Sequence, residues 1–159
     1  MKVYLLTGFN NWGKSSLIEE MFNGKKRFHN DKLYSYSGKK FCIQSQSNDD
    51  LGRKGYENKV LGRLRKLKEK NIVPSHILTA FCPTKEPENL SAEIIENLYK
   101  NCEVHIILIQ YKWCLHAELR IEEIREYFSK LRNVKVHILS EPDCSKKKIS
   151  LDSLMLPLL

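Results

Sequence analysis

A short segment with two fixed glycines follows the first apolar run of the chain. Residues 1–7 (MKVYLLT) are rich in strand-forming side chains and predict a buried β-strand. The next eight residues, GFNNWGKS, run from Gly8 to Ser15 and fit the pattern G-x-x-x-x-G-K-[ST] at every fixed position. Residues 15–22 then carry one apolar stripe at helical spacing. The chain therefore opens with a strand, a tight loop and an amphipathic helix.

Each fixed residue of this loop has a physical task in binding phosphate. Gly8 and Gly13 allow a close approach of the backbone that side chains would block, and successive N–H groups then face an anion. The helix that follows adds its N-terminal donors and partial positive charge. Lys14 is expected to reach the β- and γ-phosphates, and the Ser15 hydroxyl is expected to bind Mg²⁺. The predicted nucleotide-binding residues are Gly8, Asn10, Asn11, Trp12, Gly13, Lys14, Ser15 and Ser16.

The first 22 residues resemble the strand, loop and first helix of the P-loop NTPase superfamily. That resemblance implies a nucleoside triphosphate as ligand and Mg²⁺ as cofactor. The guanine-reading pattern N-K-x-D is absent after the apolar run 104–109, so ATP rather than GTP is the expected nucleotide. The resemblance also implies the fold, a three-layer α/β sandwich of the P-loop NTPase type.

The remainder of the chain alternates between helical and strand-like patterns. Residues 33–37 and 41–47 predict a hairpin, and strands are predicted at 77–81, 104–109 and 134–139. Apolar stripes predict helices at 57–70, 90–100 and 115–131. Such alternation favours a mainly parallel sheet with helices on both faces. We expect one nucleotide-binding domain over residues 1–140, followed by a tail over 141–159 whose leucines are free or pack on the domain or a partner.

The acidic residue that usually completes a magnesium site in this superfamily has no clear counterpart here. No predicted strand ends directly in aspartate. The best candidates are Asp49 and Asp50, which follow the third predicted strand. Either carboxylate is a candidate for holding the metal, with Asp50 preferred, or for orienting a water molecule. The segment Asp49–Gly52 also fits the bare pattern D-x-x-G, although a polar loop or a helix cap is an equal alternative. Lys14, Asp49 and Asp50 are therefore the predicted catalytic residues.

The positive charge of the chain favours anionic partners. Its 27 lysines and arginines exceed its 19 acidic residues, which gives a formal net charge of +8. Single basic side chains are candidates for stabilising a transferring phosphoryl group, although each can equally be a solvated surface charge. A nucleic-acid groove with stacking aromatic residues is an alternative. The basic candidates are Arg53, Lys54, Arg63, Arg65, Arg120 and Arg125, and the aromatic ones are Trp12, Tyr56 and Tyr111.

Cysteine and histidine patterns argue against several other classes of protein. The five cysteines are odd in number and lack C-x-x-C spacing, which favours free thiols over a disulfide or zinc framework. His105 and His137 lie inside apolar runs and are interpreted as core residues. No run is long and apolar enough to span a membrane. We therefore expect a cytoplasmic protein that does not associate with membranes.

Three functions remain open at this point. The first is Mg²⁺-dependent binding and hydrolysis of ATP by a small single-domain NTPase. The second is a kinase that phosphorylates a small molecule or the end of a polynucleotide. The third is a module that binds nucleotide or nucleic acid without catalysis, which the weak acidic pattern and the net charge favour.

Overall fold

The computed structural model describes residues 1–112 and 118–159. The strands are β1 (Lys2–Thr7), β2 (Tyr34–Tyr36), β3 (Lys39–Gln44), β4 (His76–Phe81), β5 (Glu103–Ile109) and β6 (Val134–Leu139). The helices are α1 (Lys14–Met21), α2 (Asn48–Glu69), α3 (Ser91–Tyr99), α4 (Ile121–Ser129) and α5 (Cys144–Met155). Within the described ranges, none of these helices has the length and apolar character needed to cross a bilayer.

The six strands form one sheet in the order β2-β3-β4-β1-β5-β6. Only the β2–β3 hairpin is antiparallel, and every other neighbouring pair is parallel. The predicted α/β fold with a mainly parallel sheet is thereby confirmed. Helices α1 and α5 contact each other, and so do α2 and α3. With right-handed crossovers, reversal of direction after β3 places these two pairs on opposite faces.

Strand β1 lies at the centre of the sheet, between β4 and β5. Its residues Val3 to Leu6 have no exposed surface, and Ile106 to Ile109 of β5 are equally buried. A strand covered by helices on both faces has to be apolar at consecutive positions, which explains why these runs lack alternation. The segment Gly8–Ser15 therefore begins where this buried central strand ends.

The polar segment after β3 belongs to a helix and not to a loop. Strand β3 ends at Gln44, three residues earlier than predicted, and α2 begins at Asn48 and continues to Glu69. The helix bends at Gly52, whose φ and ψ are 67° and 165°. Hydrophobic periodicity detected only the part after this bend, because the first turn is short and polar. The helix-cap alternative for Asp49 and Asp50 is therefore the one the structure contains.

The predicted helix at 115–131 is shorter in the structure. Helix α4 covers Ile121–Ser129, and Glu118 before it pairs as an isolated bridge with Tyr111. Residues 115–117 of that prediction, with Cys114 and His116, lie outside the described residues. Among the described elements, the longest helix is α2, with 22 residues.

Residues 141–159 contain helix α5, which packs on α1. Leu151 and Met155 of α5 are buried in the main core. The Lys147 side chain is fully buried, and its ammonium group donates to the carbonyl oxygens of Tyr111 at 2.8 Å and Lys112 at 3.1 Å. A buried ammonium group needs such acceptors, so Lys147 ties α5 to the segment after β5.

A stack of rings lies at the end of the sheet opposite the glycine loop. The Tyr4 ring stacks on His105, with centroids 5.1 Å apart, and on His76 at 6.1 Å. His105 Nδ1 lies 3.1 Å from His137 Nε2, so one ring nitrogen donates to the other. Burial lowers the pKa of His105 to about 4, and the nearby charges of His137, Lys135 and Lys2 act in the same direction against Glu103. His105 is therefore a core residue as predicted, whereas His137 is only half-buried.

Replacing Gly52 by alanine should destabilise the protein. Its backbone conformation is one that residues with a Cβ atom rarely adopt, so Gly52→Ala should lower the unfolding free energy by roughly 1–3 kcal/mol. The matched control is Gly62→Ala in the straight part of α2, which should stabilise by up to about 1 kcal/mol. In both variants the added Cβ meets no atom within 4 Å. Denaturant unfolding measures both effects, and equal effects would contradict the assigned bend.

Acid should destabilise the fold through His105. Its folded pKa lies below the unfolded value of about 6.5, so the unfolded chain binds more protons as the pH falls from 6.5 towards 4. The unfolding free energy should therefore decrease over this window, with a slope approaching about 1.4 kcal/mol per pH unit for one such histidine. His105→Gln should flatten the dependence, whereas substitution of the exposed His29 by glutamine should not. An unchanged slope in His105→Gln would contradict the role of this residue.

Candidate functional site: the glycine loop and the first turn of α2

The loop between β1 and α1 turns through two left-handed residues. Asn11 has a φ of 61° and Gly13 has a φ of 83°. A Cβ atom at Gly8 would lie 3.0 Å from the Trp12 Cβ, so the first fixed glycine permits the Trp12 side chain to fold back over the loop. Trp12 is only 6% exposed and contacts the Phe9 ring edge-on. The expectation of an exposed Trp12 is therefore wrong, because the side chain packs inside its own loop.

Free backbone donors line a cavity at this loop. Helix α1 has no side-chain cap, and the N–H groups of residues 13–16 donate no hydrogen bond within the described part of the chain. Unpaired donors at a helix N-terminus attract anions. The cavity has a volume of about 220 Å³. Its lining residues are Asn10, Asn11, Trp12, Gly13, Lys14, Ser15, Ser16 and Asp50. Seven of the eight predicted nucleotide-binding residues thus lie together, and Gly8 lies at the entrance of the loop.

The Lys14 side chain folds back over the loop. Its ammonium group donates to the carbonyl oxygens of Gly8 at 2.8 Å and Phe9 at 2.7 Å. It also lies 3.7 Å from Asp49 Oδ2, and Lys14 is only 6% exposed. A cation buried this deeply needs compensating acceptors, and the carboxylate supplies the opposite charge. Lys14 and the predicted catalytic residue Asp49 are therefore one ion pair.

Two oxygen-bearing side chains in the loop cavity have the chemistry of a magnesium site. The Ser15 hydroxyl donates to the Ser45 carbonyl oxygen at 2.8 Å, which leaves lone pairs on Oγ for a cation. The Asp50 carboxylate accepts from the N–H of Ser47 at 3.0 Å through Oδ2, and Oδ1 accepts no hydrogen bond from the described residues. Hydroxyl and carboxylate oxygens are preferred ligands of Mg²⁺. The predicted pair Ser15 and Asp50 thus fits the metal in chemical type and location.

The first turn of α2 carries both acids to the loop from a strand that is not adjacent to β1. Strand β4 lies between β3 and β1 in the sheet. Asp49 reaches Lys14 because the helix begins four residues after β3 and crosses above the end of β4. Asp49 and Asp50 face different cavities, since only Asp50 lines the loop cavity.

Asn48 anchors this turn to the end of β4. Its side-chain Oδ1 accepts from the Cys82 N–H at 2.7 Å, and its Nδ2 donates to the Cys82 carbonyl at 3.2 Å. The Asn89 amide donates in turn to the Asn48 carbonyl at 3.0 Å. Both asparagines are buried, so all three residues form one connected polar network. Sequence reasoning missed Asn48 and Asn89, because a polar residue among other polar residues gives no signal of burial.

Cys82 directly follows β4, so this strand does not end in an acidic residue. Burial and the neighbouring Asp49 carboxylate raise the pKa of its thiol to about 12. The thiol is therefore protonated at neutral pH and is a poor nucleophile. Asp49 lies close to both this thiol and the Lys14 ammonium group.

The basic and aromatic candidates outside the loop are engaged elsewhere. Arg53 pairs with Glu57 and Glu93, and Arg63 donates to Gln44 and to the carbonyl oxygens of Phe28 and His29. Arg65, Arg120 and Arg125 form ion pairs with residues on their own helices or next to them. Lys54, like these arginines, does not line the loop cavity. Tyr56 is fully buried and Tyr111 is half-buried, so the predicted set of exposed stacking rings is wrong.

A second and larger cavity adjoins the ion pair on the far side of Asp49. Its volume is about 500 Å³, and it extends from Phe9 of the loop along the residues after β4 to helix α4. Asp49 lines this cavity, whereas Lys14, with which it forms the ion pair, lines the smaller loop cavity. The Lys14–Asp49 pair therefore separates the two cavities.

Comparisons with protein-family models, curated proteins and solved structures find no match to this chain. Within residues 1–112 and 118–159, no three or more His, Cys, Asp or Glu side chains cluster as a metal site. The described cysteines at 42, 82, 102 and 144 are free thiols. A function for this chain is therefore inferred from the geometry of its own residues.

Removing the Asn48 side chain should weaken the fold measurably. Asn48→Ala leaves the buried Cys82 N–H and carbonyl oxygen without their side-chain partner, which should cost about 1–3 kcal/mol of unfolding free energy. The control is Asn97→Ala, since Asn97 is exposed and makes one weak contact with Glu57. Its effect should stay below about 0.5 kcal/mol. Similar losses in the two variants, measured by denaturant unfolding, would contradict the anchoring role.

Proposed function

We propose that this chain binds a nucleoside triphosphate with Mg²⁺ in the loop Gly8–Ser15 and catalyses attack on the γ-phosphate. ATP is the proposed nucleotide, and hydrolysis is the reaction when water is the attacking group. The observation that carries the proposal is the buried Lys14–Asp49 ion pair beside the unpaired N–H groups of α1. In this proposal the chain acts as a P-loop NTPase in the cytoplasm.

The loop residues supply the binding chemistry. The backbone donors of residues 13–16 and the N-terminus of α1 attract the phosphate oxygens. Lys14 contributes the positive charge that a triphosphate needs, and its present acceptors are two neutral carbonyl groups and Asp49. Phosphate oxygens are better acceptors for an ammonium group than neutral carbonyls are. An anion in the cavity therefore competes favourably for Lys14.

Ser15 and Asp50 are the proposed metal-binding residues. Mg²⁺ held by these two residues would neutralise phosphate charge. Asp49 lies next to Lys14, with its Oδ2 atom 3.7 Å from the Lys14 ammonium group. The Asp49 carboxylate is the proposed acceptor for a proton of the attacking group. Asp49 and Asp50 thereby have separate roles.

A nucleic-acid-binding module has less support than nucleotide chemistry. The weak acidic pattern and the net charge favoured that alternative, but two of the three rings that would stack on bases are buried. The net positive charge alone does not distinguish a binding groove from a solvated surface. The loop cavity with its paired lysine and carboxylate is the more specific feature.

Thermal unfolding with nucleotides should test the loop. ATP with Mg²⁺ should raise the unfolding midpoint of the wild type, and at a hundred times the dissociation constant the added stability is about 2.7 kcal/mol. Lys14→Ala should abolish the shift relative to its own ligand-free midpoint, which corrects for loss of the ion pair. Lys26→Ala is the control, since Lys26 is exposed and does not line the loop cavity.

Phosphate release and the choice of nucleotide complete this test. Asp49→Asn should retain the ATP-dependent shift and lower phosphate release by roughly 10²-fold, as expected for loss of a general base. Equal shifts with GTP would contradict the preference for ATP. If neither nucleotide shifts the wild-type midpoint with Mg²⁺ present, the proposed function is wrong.

A further inference from the structure

The larger cavity beside the Lys14–Asp49 pair has the size and location of a site for a second substrate. Its volume of about 500 Å³ falls within the roughly 300–1,000 Å³ that is typical of small-molecule sites. The cavity is polar at the end where Asp49 lies and otherwise follows the residues after β4 and helix α4. A molecule bound there would have Asp49 at one end of the cavity.

Phe9, Ile124 and Tyr127 are among the apolar and aromatic side chains that line this cavity. Phe9 is 42% exposed, which is high for a phenylalanine. The Tyr127 hydroxyl accepts a hydrogen bond from the Ala92 N–H at 3.2 Å, and its ring packs edge-on against Phe128. The Tyr127 ring is thus held in place before any ligand arrives. Held aromatic rings bind flat ring systems by stacking.

The charges in the cavity do not favour a phosphorylated ligand. Among its described lining residues, Asp49, Glu86 and Glu123 carry carboxylates, whereas Lys85 is the one cation. The Lys85 ammonium group lies 5.1 Å from the centre of the Tyr127 ring, so part of its charge is already engaged. No arginine is among these lining residues, although planar guanidinium groups are the usual ligands of phosphate. The cavity therefore fits an uncharged molecule better than an anionic one.

The Asp49 carboxylate is the base that lines this cavity, and the Asp49 side chain is 19% exposed. Its Oδ2 atom is buried 3.7 Å from the Lys14 ammonium group, and Oδ1 accepts a hydrogen bond from the Ser47 hydroxyl. Asn48 and Asn89 fix the turn that carries Asp49 to the end of β4, which forms the cavity wall. A carboxylate oriented in this way can accept a proton from a bound hydroxyl group.

We infer that this cavity binds an uncharged, hydroxyl-bearing molecule with a flat ring, of the nucleoside class, as acceptor of the γ-phosphoryl group. The inference rests on the proposed function, since the nucleoside triphosphate in the loop is the phosphoryl donor. Phe9 and Tyr127 contact the ring, and Asp49 is the catalytic residue at the hydroxyl.

The transfer balances with these groups alone. The acceptor oxygen forms a bond to the γ-phosphorus, and the bond from that phosphorus to the β–γ bridging oxygen breaks. The nucleoside diphosphate leaves with the bonding electron pair, and Asp49 takes the hydroxyl proton, which passes to solvent when the products leave. Neither an oxidant nor a reductant is involved.

The test uses the whole chain, ATP with Mg²⁺, and a panel of adenosine, guanosine, cytidine, uridine and thymidine with their 5′-monophosphates. At least one nucleoside should raise the unfolding midpoint in the presence of a non-hydrolysable ATP analogue and should receive labelled phosphate from ATP. The matching 5′-monophosphate should do both at least ten-fold less well. Transfer to a monophosphate with equal or greater efficiency would overturn the assignment of an uncharged acceptor.

Variants separate the acceptor site from the loop. Tyr127→Leu should raise the KM for the nucleoside roughly ten-fold or more and leave the ATP-dependent midpoint shift intact. Ile124→Ala, which changes another lining residue outside the loop, serves the same purpose if Tyr127→Leu does not fold. Asp49→Asn should lower the transfer rate roughly 10²-fold but keep nucleoside binding. Leu61→Ala, an exposed apolar side chain on α2 away from the cavity, is the control.

The failures of the two proposals can be told apart in the same assay. If ATP shifts the midpoint and is hydrolysed but no nucleoside is bound or phosphorylated, the acceptor proposal is wrong and nucleotide hydrolysis stands. If ATP causes no shift, the proposed function and the acceptor proposal both fail. Unchanged nucleoside KM values in folded Tyr127→Leu and Ile124→Ala would overturn the assignment of the cavity.

Discussion

The buried ammonium group of Lys14 holds the loop after β1 against the first turn of α2. It joins the carbonyl oxygens of Gly8 and Phe9 to the carboxylate of Asp49, and thus connects the end of β1 to the first turn of α2. A buried charge without acceptors would be strongly unfavourable, so the loop and the helix have to approach each other. The two cavities on either side follow from that approach.

The first turn of α2 brings carboxylates to the end of a strand that has no acidic residue of its own. Strand β4 ends next to the loop strand but continues into Cys82, whose protonated thiol cannot replace a carboxylate. Helix α2 begins above this end and brings Asp49 there from one strand further away. The amide of Asn48 fixes the arrangement through the backbone of Cys82.

Much of the fold and part of the site could be predicted from the sequence. Apolar runs located β1, β4 and β5 to within a residue, because buried parallel strands are largely apolar along their length. The edge strand β6 was located from its alternating apolar residues. The G-x-x-x-x-G-K-[ST] pattern located the loop residues, because each fixed position has a local backbone or side-chain cause. The start of α2 at Asn48 was missed, since a short polar turn before a bend carries no periodic signal. Burial of Trp12 and Asn48 was missed as well, because it depends on contacts with Gly8 and Cys82 that only the folded chain creates.

The bend at Gly52 divides α2 into two parts with different duties. The long part after the bend is held by buried Tyr56, Val60 and Leu67, whereas the short part before it carries Asp49 and Asp50. Because a non-helical residue separates them, the direction of the short part is not dictated by the axis of the long one. Mutations that repack the long part can therefore leave the direction of the two carboxylates unchanged. Position 52 itself couples that direction to stability, since a side chain there strains the bend.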